Sequence, residues 1–232
     1  KLTLMPSYFL IDYDNLVWSD RKKGLKYIIE KILKLFQPSE ISTKNLAFRL
    51  YGGWYENNSI TTLAQNLQIE ISSTFPNTFT LGDNFTKVIV RVELALSLTI
   101  EPSKIIFNTF RTRGIPSGLK ALSPLSKCKI SNCPISNVYD FIKNKNCGHC
   151  NKYGPEDFLY RKEQKLVDTM ITADIINLAI RESGLIIVSS DDDFWPGIMT
   201  ALNIGAKVFH VLTKKRNTIN PYTSMITVNY TQ

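Results

Sequence analysis

Apolar and polar positions along the chain alternate between strand-like and helix-like patterns. Residues 8–12, YFLID, form a short apolar run closed by an acid, and apolar residues recur at helical spacing over 24–36 before Pro38. NLAFRLYGGWY predicts a second strand, and SITTLAQNL predicts a helix with Ser59 as its cap. The order strand, helix, strand, helix predicts an α/β fold with a mainly parallel sheet.

The centre of the chain has weaker periodicity. Residues 87–98, KVIVRVELALSL, alternate like a strand, and KIIFNTF over 104–110 is predicted to be a strand beside it. Over 111–155 the composition shifts to Gly, Pro, Ser, Asn and Lys, and this stretch contains all four cysteines. We interpret it as a cysteine-rich insertion within one domain that covers residues 1–232, a length that can bury one substantial core.

The regular pattern returns after the insertion. QKLVDTMITADIINLAIRES has apolar residues at helical spacing, and LIIVSS begins as a fully apolar strand of the kind found inside a parallel sheet. FWPGIMTALNIG and AKVFHVL predict one more helix and one more strand. The end of the chain therefore extends the same α/β pattern.

The charge balance adds a class of partner. The 28 Lys and Arg exceed the 20 Asp and Glu, and the formal net charge of +8 favours a polyanion such as RNA, although such a surface also serves solubility. No apolar run approaches the roughly 20 residues that cross a bilayer, and an aspartate interrupts the first apolar stretch. We expect a soluble, cytoplasmic protein without a membrane partner; the sequence leaves the oligomeric state open.

Carboxylates stand where ligands bind to a parallel sheet. Asp12 and the run Asp191, Asp192, Asp193 follow predicted strands, and Asp168 lies in the first turn of the long helix. Taken singly, each acid also suits a helix cap or the helix dipole. Converging carboxylates repel one another, and a divalent cation both relieves this repulsion and activates water. Oxygen ligands favour Mg²⁺ or Mn²⁺.

Three segments together resemble a known family. IDYDN at 11–15, KLVDTMITADI at 165–175 and VSSDDDFWPGI at 188–198 resemble the NYN branch of the PIN-like nucleases. The resemblance implies a Rossmann-like, three-layer α/β/α fold with a mainly parallel sheet, and a metal-dependent ribonuclease, here expected to be an endonuclease. Carried over residue by residue, it implies catalytic, metal-binding acids at Asp12, Asp168, Asp191 and Asp193, with Asn15 and Asp174 in support.

The aspartate run is expected to be unequal. On an extended backbone Asp191 and Asp193 face one side and Asp192 faces the other, so only the outer two would meet the metal.

The cysteines suggest a second metal. Their spacing is C-x4-C-x13-C-x2-C, at Cys128, Cys133, Cys147 and Cys150. Two close pairs separated by a loop suit tetrahedral, structural zinc, which would order a stretch with little core. Two disulfides or free thiols remain the alternative.

Basic residues surround the predicted insertion. With Tyr153 and Tyr160 interleaved, they could guide single-stranded or structured RNA by phosphate contacts and base stacking, or they could simply form a solvated face. The predicted RNA-binding residues are Arg111, Arg113, Arg161, Lys162 and Lys165.

Three functions compete at this point. The leading one is a metal-dependent ribonuclease that hydrolyses phosphodiester bonds with activated water. The second is a catalytically inactive RNA-binding module of the same fold. The third is a phosphatase in which Asp12 of DYDNL is a nucleophile and Asp14 is an acid/base.

Overall fold

The computed structural model describes most of the chain and shows an α/β fold. The described residues are 8–41, 43–114, 130, 133–182 and 184–214, together with the backbone of 226–229. Their elements are, in chain order, β1 (Tyr8–Asp12), α1 (Trp18–Arg21), α2 (Leu25–Leu33), β2 (Asn45–Tyr51), β3 (Tyr55–Glu56), β4 (Ser59–Ile60), α3 (Thr62–Thr74), β5 (Asn77–Thr80), β6 (Lys87–Leu94), β7 (Phe110–Gly114), α4 (Ile135–Asn144), β8 (Tyr160–Gln164), α5 (Val167–Arg181), β9 (Gly184–Val188), α6 (Trp195–Asn203), β10 (Lys207–Leu212) and β11 (Ile226–Asn229).

The chain divides into two compact units. The segment Arg111–Glu163 forms one unit, and the described residues before and after it form the other, called here the main unit. In the smaller unit, helix α4 ends at Asn144, and the next residue, Lys145, adopts a left-handed conformation with φ 55°. Strands β7 and β8 are hydrogen-bonded neighbours.

The main unit is built on a seven-stranded mixed sheet with the order β11-β10-β9-β1-β2-β6-β5. Six neighbouring strands run parallel, as the alternation of strands and helices predicts. Strand β5 pairs antiparallel with β6 at one edge. Strands β3 and β4 pair antiparallel outside this sheet, and Glu56 of β3 also pairs in parallel with Phe110.

Apolar residues on the central strands pack on both faces of this sheet. Phe9 and Ile11 of β1 join one buried cluster with α2 and α3, whereas Leu10 joins a second cluster with α5 and α6. Phe9 stacks on Phe48 of β2, with ring centroids 4.1 Å apart. Each buried Leu, Ile or Phe contributes about 1.5–3 kcal/mol, so the two clusters hold β1 and β9 firmly in the sheet.

Two local predictions are wrong. Ser59 pairs with Glu56 in β4, and the cap of α3 is Thr61, whose side chain accepts the amide N–H of Ala64. Residues 104–109 form no strand: Ile106 bonds to Leu96, and Asn108 has φ 57°, which interrupts an extended backbone. In both places the hydrogen bonds of the folded chain override the strand or cap propensity of the sequence.

A buried ion pair joins α5 to the sheet. Asp174, fully buried, accepts hydrogen bonds from Arg49 Nε at 3.2 Å and from Tyr51 Oη at 2.6 Å. It also accepts the backbone N–H and the hydroxyl of Thr99, each at 2.7 Å. The Arg49 guanidinium donates further bonds to Glu93 and to the carbonyl of Ser97. Both oxygens of the Asp174 carboxylate therefore accept hydrogen bonds, and those from Arg49 and Tyr51 hold α5 against β2.

The described residues include no helix long and apolar enough to cross a membrane.

The network around Asp174 yields a stability prediction. Replacement Asp174→Ala leaves the buried Arg49 with only the exposed Glu93 as charge partner, so we expect the free energy of unfolding to fall by about 3–5 kcal/mol. The control is Glu93→Ala, because Glu93 meets the same guanidinium with a side chain that is 58% exposed; its loss should cost about 1 kcal/mol or less. Urea titration of both variants measures the difference, and equal losses would contradict this account.

Candidate metal centre

The centre of the sheet contains the point at which the strand order reverses. Strand β1 is flanked by β2 on one side and by β9 on the other, and all three are parallel. Their carboxyl ends therefore open at one edge of the sheet, where ligands bind in parallel α/β proteins. Asp12 is the last residue of β1, and Ser189 follows β9 directly beside it.

Asp12 is held in a buried and hydrogen-bonded position. It is 5% exposed, and its carboxylate accepts the Ser189 hydroxyl at 2.9 Å and the backbone N–H of Asn15 at 3.3 Å. Burial raises the pKa of Asp12 to about 6, and the charge of Asp168 adds to the rise, while the bonds from Ser189 and Asn15 lower the pKa. This carboxylate is a poorly solvated negative charge held in one orientation.

The aspartate run is a turn and not a continuation of the strand. The backbone N–H of Asp191 donates to the Ser189 hydroxyl at 3.0 Å, and the backbone N–H of Asp193 donates to the Asp191 carboxylate at 3.0 Å. The N–H of Trp195 donates to the Asp192 carbonyl at 3.0 Å and starts α6. The expected alternation along an extended backbone is therefore wrong, because side-chain bonds bend the chain immediately after β9.

Asp168 links these acids electrostatically. It lies in the first turn of α5, and its pKa is raised by partial burial and then by the charges of Asp191 and Asp193. Asp168 in turn raises the pKa of Asp12. Asp168 thus interacts with an acid of β1 that lies 156 positions away in sequence and with two acids of the turn after β9.

The donor chemistry of this group suits a hard divalent cation. Four carboxylates supply only oxygen donors, and their mutual repulsion is relieved by a cation of charge +2. Among the residues that the structure describes, no three His, Cys, Asp or Glu side chains are grouped so that they could hold a metal ion. The acids influence one another electrostatically without forming a three-ligand geometry.

The two residues predicted to support the acids occupy different places. Asn15 bonds to Asp12 through its backbone N–H, and its side-chain oxygen accepts the Thr213 hydroxyl at 3.5 Å. Asp174 instead belongs to the buried network with Arg49, Tyr51 and Thr99.

Ser189 is a site residue that the sequence reasoning missed. Its hydroxyl donates to Asp12 and accepts from the backbone N–H of Asp191, so its side chain connects two of the four predicted acidic residues. Its carbonyl is bonded to His210 Nε2 at 2.9 Å. Its position could have indicated this role, because a serine that directly follows the apolar run of β9 lies beside the acid that ends β1.

Three of the four cysteines lie within the described residues. Cys133, Cys147 and Cys150 form no disulfide, and Cys128 lies outside the described residues. The backbone N–H groups of Cys150 and His149 donate to the Cys147 sulfur and, with the Cys150 thiol, lower the pKa of Cys147. The N–H of Cys147 bonds to the Tyr153 carbonyl at 2.8 Å. This turn supports a thiolate at Cys147, and the zinc stays a prediction.

Three of the predicted RNA-binding residues meet at one carboxylate. Arg111, Arg113 and Arg161 each form an ion pair with Glu163. Lys162 and Lys165 are exposed.

Comparison with known proteins adds no assignment: no protein-family model, curated protein or solved structure matches this chain.

The raised pKa of Asp12 predicts how stability depends on pH. A carboxyl with a higher pKa in the folded state stabilises the fold below its unfolded pKa, and this contribution is lost as pH rises through the folded pKa. In EDTA, we expect the free energy of unfolding of the parent to fall relative to that of Asp12→Asn between about pH 4 and pH 6, by up to about 3 kcal/mol. Urea titrations at several pH values measure the difference.

The control for this experiment is Asp83→Asn. Asp83 accepts the Thr86 hydroxyl and the backbone N–H groups of Phe85 and Thr86, and the bonds from Thr86 lower its pKa. Its contribution is present above the unfolded pKa and is lost as pH falls, which is the opposite sign. Parallel pH profiles for both variants would contradict the assignment at Asp12.

The cysteine segment predicts a bound metal that can be counted. We expect protein purified without chelators to contain about one zinc per chain, and Cys147→Ser to lower this content because a hydroxyl is a poor zinc ligand. His149→Ala is the control, since His149 is exposed and its side chain is not a predicted ligand. Elemental analysis gives the ratio, and parent protein without zinc would refute the prediction.

Proposed function

We propose that this chain is a metal-dependent ribonuclease whose acidic site is formed by Asp12, Asp168, Asp191 and Asp193. The observation that carries the proposal is the electrostatic coupling of these acids, which come from three separate segments: Asp191 and Asp193 raise the pKa of Asp168, and Asp168 raises that of Asp12. A structural ion pair would place a positive group beside the acids, whereas no Lys or Arg of the described residues is among the causes of either shift. Acids that raise one another's pKa without such a partner suit a site that binds a metal ion.

The architecture supports the same proposal. Helices pack against both faces of a mainly parallel sheet, which is the arrangement of a three-layer α/β/α fold. The three segments that resemble NYN-type, PIN-like nucleases fall on β1, on α5 and on the β9–α6 connection. In such a fold the carboxyl ends of β1 and β9 are the natural place for a phosphodiester and its metal.

Each residue of the site has a separate task in this proposal. Bound Mg²⁺ or Mn²⁺ would lower the pKa of water and neutralise charge on the phosphate. The Ser189 hydroxyl and the Asn15 N–H hold the Asp12 carboxylate in one orientation. The turn bond from Asp193 N–H to Asp191 fixes the second acid, and α5 presents Asp168. No side chain has to act as a nucleophile.

The phosphatase alternative requires Asp14 to exchange protons with substrate. Asp14 instead forms an ion pair with Arg21 at 2.9 Å, and its side chain is 32% exposed. Burial raises the pKa of Asp14, and Arg21 opposes this rise. Asp14→Asn separates the two reactions, because a ribonuclease should survive the change and the phosphatase should not. An inactive RNA-binding module is the remaining alternative, and a cleavage assay separates it from the nuclease.

The aspartate run provides the sharpest test. Asp191→Asn and Asp193→Asn should each reduce metal-dependent cleavage of labelled RNA by at least about 100-fold, because the amide keeps the shape but loses the charge that holds the cation. Asp192→Asn should retain most activity, since Asp192 is not among the acids that raise the pKa of Asp168. Single-stranded and structured RNAs are incubated with Mg²⁺, Mn²⁺ or EDTA, and the products are resolved by length.

Asp192→Asn is the matched control, because it removes the same charge from the same turn. Equal loss in all three variants, or full activity of Asp193→Asn in Mg²⁺ and Mn²⁺, would refute the assignment. Absence of cleavage by the parent in either metal would favour the inactive RNA-binding module.

A further inference from the structure

Most of the net positive charge of the chain lies in the smaller unit. Its 53 residues, Arg111–Glu163, contain ten Lys and Arg and four Asp and Glu, so this unit carries six of the eight net positive charges. The main unit, which contains the acidic group, carries the remaining two. A segment with this charge density is suited to a polyanion, and its own arrangement indicates where the polyanion binds.

Glu163 collects three arginines on one side of β7 and β8. Its carboxylate contacts Arg111 Nε at 3.1 Å, Arg113 Nε at 3.2 Å and Arg161 Nη2 at 2.7 Å. Residues two apart on a strand share a face, which explains why 111 and 113 on β7, and 161 and 163 on β8, can meet. Partial burial acts to raise the pKa of Glu163, but the bond from Arg111 and the three positive charges hold the pKa below its usual range.

The arginines retain donors that Glu163 does not engage. A guanidinium has five N–H donors, whereas Arg111 and Arg113 each contact Glu163 through Nε. Within the part of the chain that the structure describes, Arg111 Nη2 is buried without an acceptor. The Arg113 and Arg161 side chains are 49% and 46% exposed. The group therefore keeps a net charge of +2, and its Arg113 and Arg161 side chains are about half exposed to solvent.

We propose that Glu163 is a positioning residue that arrays Arg111, Arg113 and Arg161 to bind the phosphodiester backbone of a nucleic acid strand. This inference rests on the proposed ribonuclease function, for which it supplies a substrate-binding surface. Guanidinium groups bind phosphate oxygens in pairs, and the net charge of +2 that remains beside Glu163 matches two phosphodiesters, each of charge −1. Successive phosphates along a strand offer this charge repeatedly, so we assign the surface to a nucleic acid.

The proposal and simple charge attraction predict opposite changes in RNA affinity for the variant Glu163→Gln. Glu163→Gln removes a negative charge from a basic unit, so a surface that acts only by net charge would bind RNA more tightly. If Glu163 holds the array in place, Glu163→Gln should bind RNA more weakly, because arginines without their common ion-pair partner lose more conformational entropy when they order on the ligand. The direction of the change therefore decides between the two.

The test measures binding by the full chain in EDTA, so that cleavage does not interfere. Fluorescence anisotropy with a labelled single-stranded oligoribonucleotide should show at least 5-fold weaker binding for Glu163→Gln. Glu156→Gln is the charge-matched control: Glu156 is an exposed acid of the same unit, and its loss should leave affinity unchanged or slightly higher. Circular dichroism and thermal melting check that both variants fold.

A second variant keeps the charge and removes the geometry. Arg113→Lys preserves the positive charge but replaces the planar fork, so we expect weaker binding by at least 3-fold with an unchanged melting temperature. Arg113→Ala should in addition flatten the dependence of log affinity on log salt by about 0.7, the contribution of one phosphate contact in a single strand. Equal affinity for an oligodeoxyribonucleotide supports recognition of phosphate alone, and preference for RNA supports additional contacts to the ribose.

The results separate this inference from the ribonuclease itself. Asp191→Asn should abolish cleavage and leave binding in EDTA intact, whereas Glu163→Gln should weaken binding without removing any acid of the metal site. Binding that weakens in Glu163→Gln and Arg113→Lys, but not in Glu156→Gln or Asp191→Asn, supports the inference even if the parent cleaves no RNA. Unchanged or tighter binding in Glu163→Gln, or tighter binding of a poly-glutamate peptide than of RNA, overturns it.

Discussion

The pairing of β1 with β9 is the constraint on which the described site depends. Strand β1 is buried on both faces, with Phe9 and Ile11 in one apolar cluster and Leu10 in the other. Because the register places Ile11 opposite Val188, the next residues, Asp12 and Ser189, come side by side. Apolar packing thereby fixes the position of a carboxylate that it does not itself favour.

This placement sets stability against function. Asp12 loses hydration at the end of a buried strand, and its pKa rises to about 6 although Ser189 and Asn15 both donate to it. Asp174 shows the opposite solution within α5: the same type of side chain, fully buried, is satisfied by Arg49, Tyr51 and Thr99. Among the described residues, Asp12 thus has no ion-pair partner, whereas Asp174 is fully compensated. Such an uncompensated group is expected at functional sites, where local stability yields to chemistry.

The coupled acids and the arginine group belong to different units. The coupled acids belong to the main unit, whereas the smaller unit contains the arginines grouped at Glu163. An acid among arginines lowers the net charge of a basic surface, but it also limits the conformations of three long side chains. Asp191 restricts its neighbours in a similar way, because its carboxylate accepts the N–H of Asp193 and fixes the turn. In both places a carboxylate organises its neighbours.

The sequence by itself determined the alternation of strands and helices, since apolar periodicity reports directly which face of each element is buried. It also identified the acid that ends β1 and the acids that follow β9, because the carboxyl end of a buried strand is recognised by the polar residues that come directly after an apolar run. The tertiary structure alone decided what surrounds them. Ser189 bridges Asp12 and Asp191, Asp174 pairs with Arg49, and Glu163 gathers three arginines. Apart from neighbours on one strand or turn, these contacts join residues 50 to 177 positions apart, and local patterns contain no information about them.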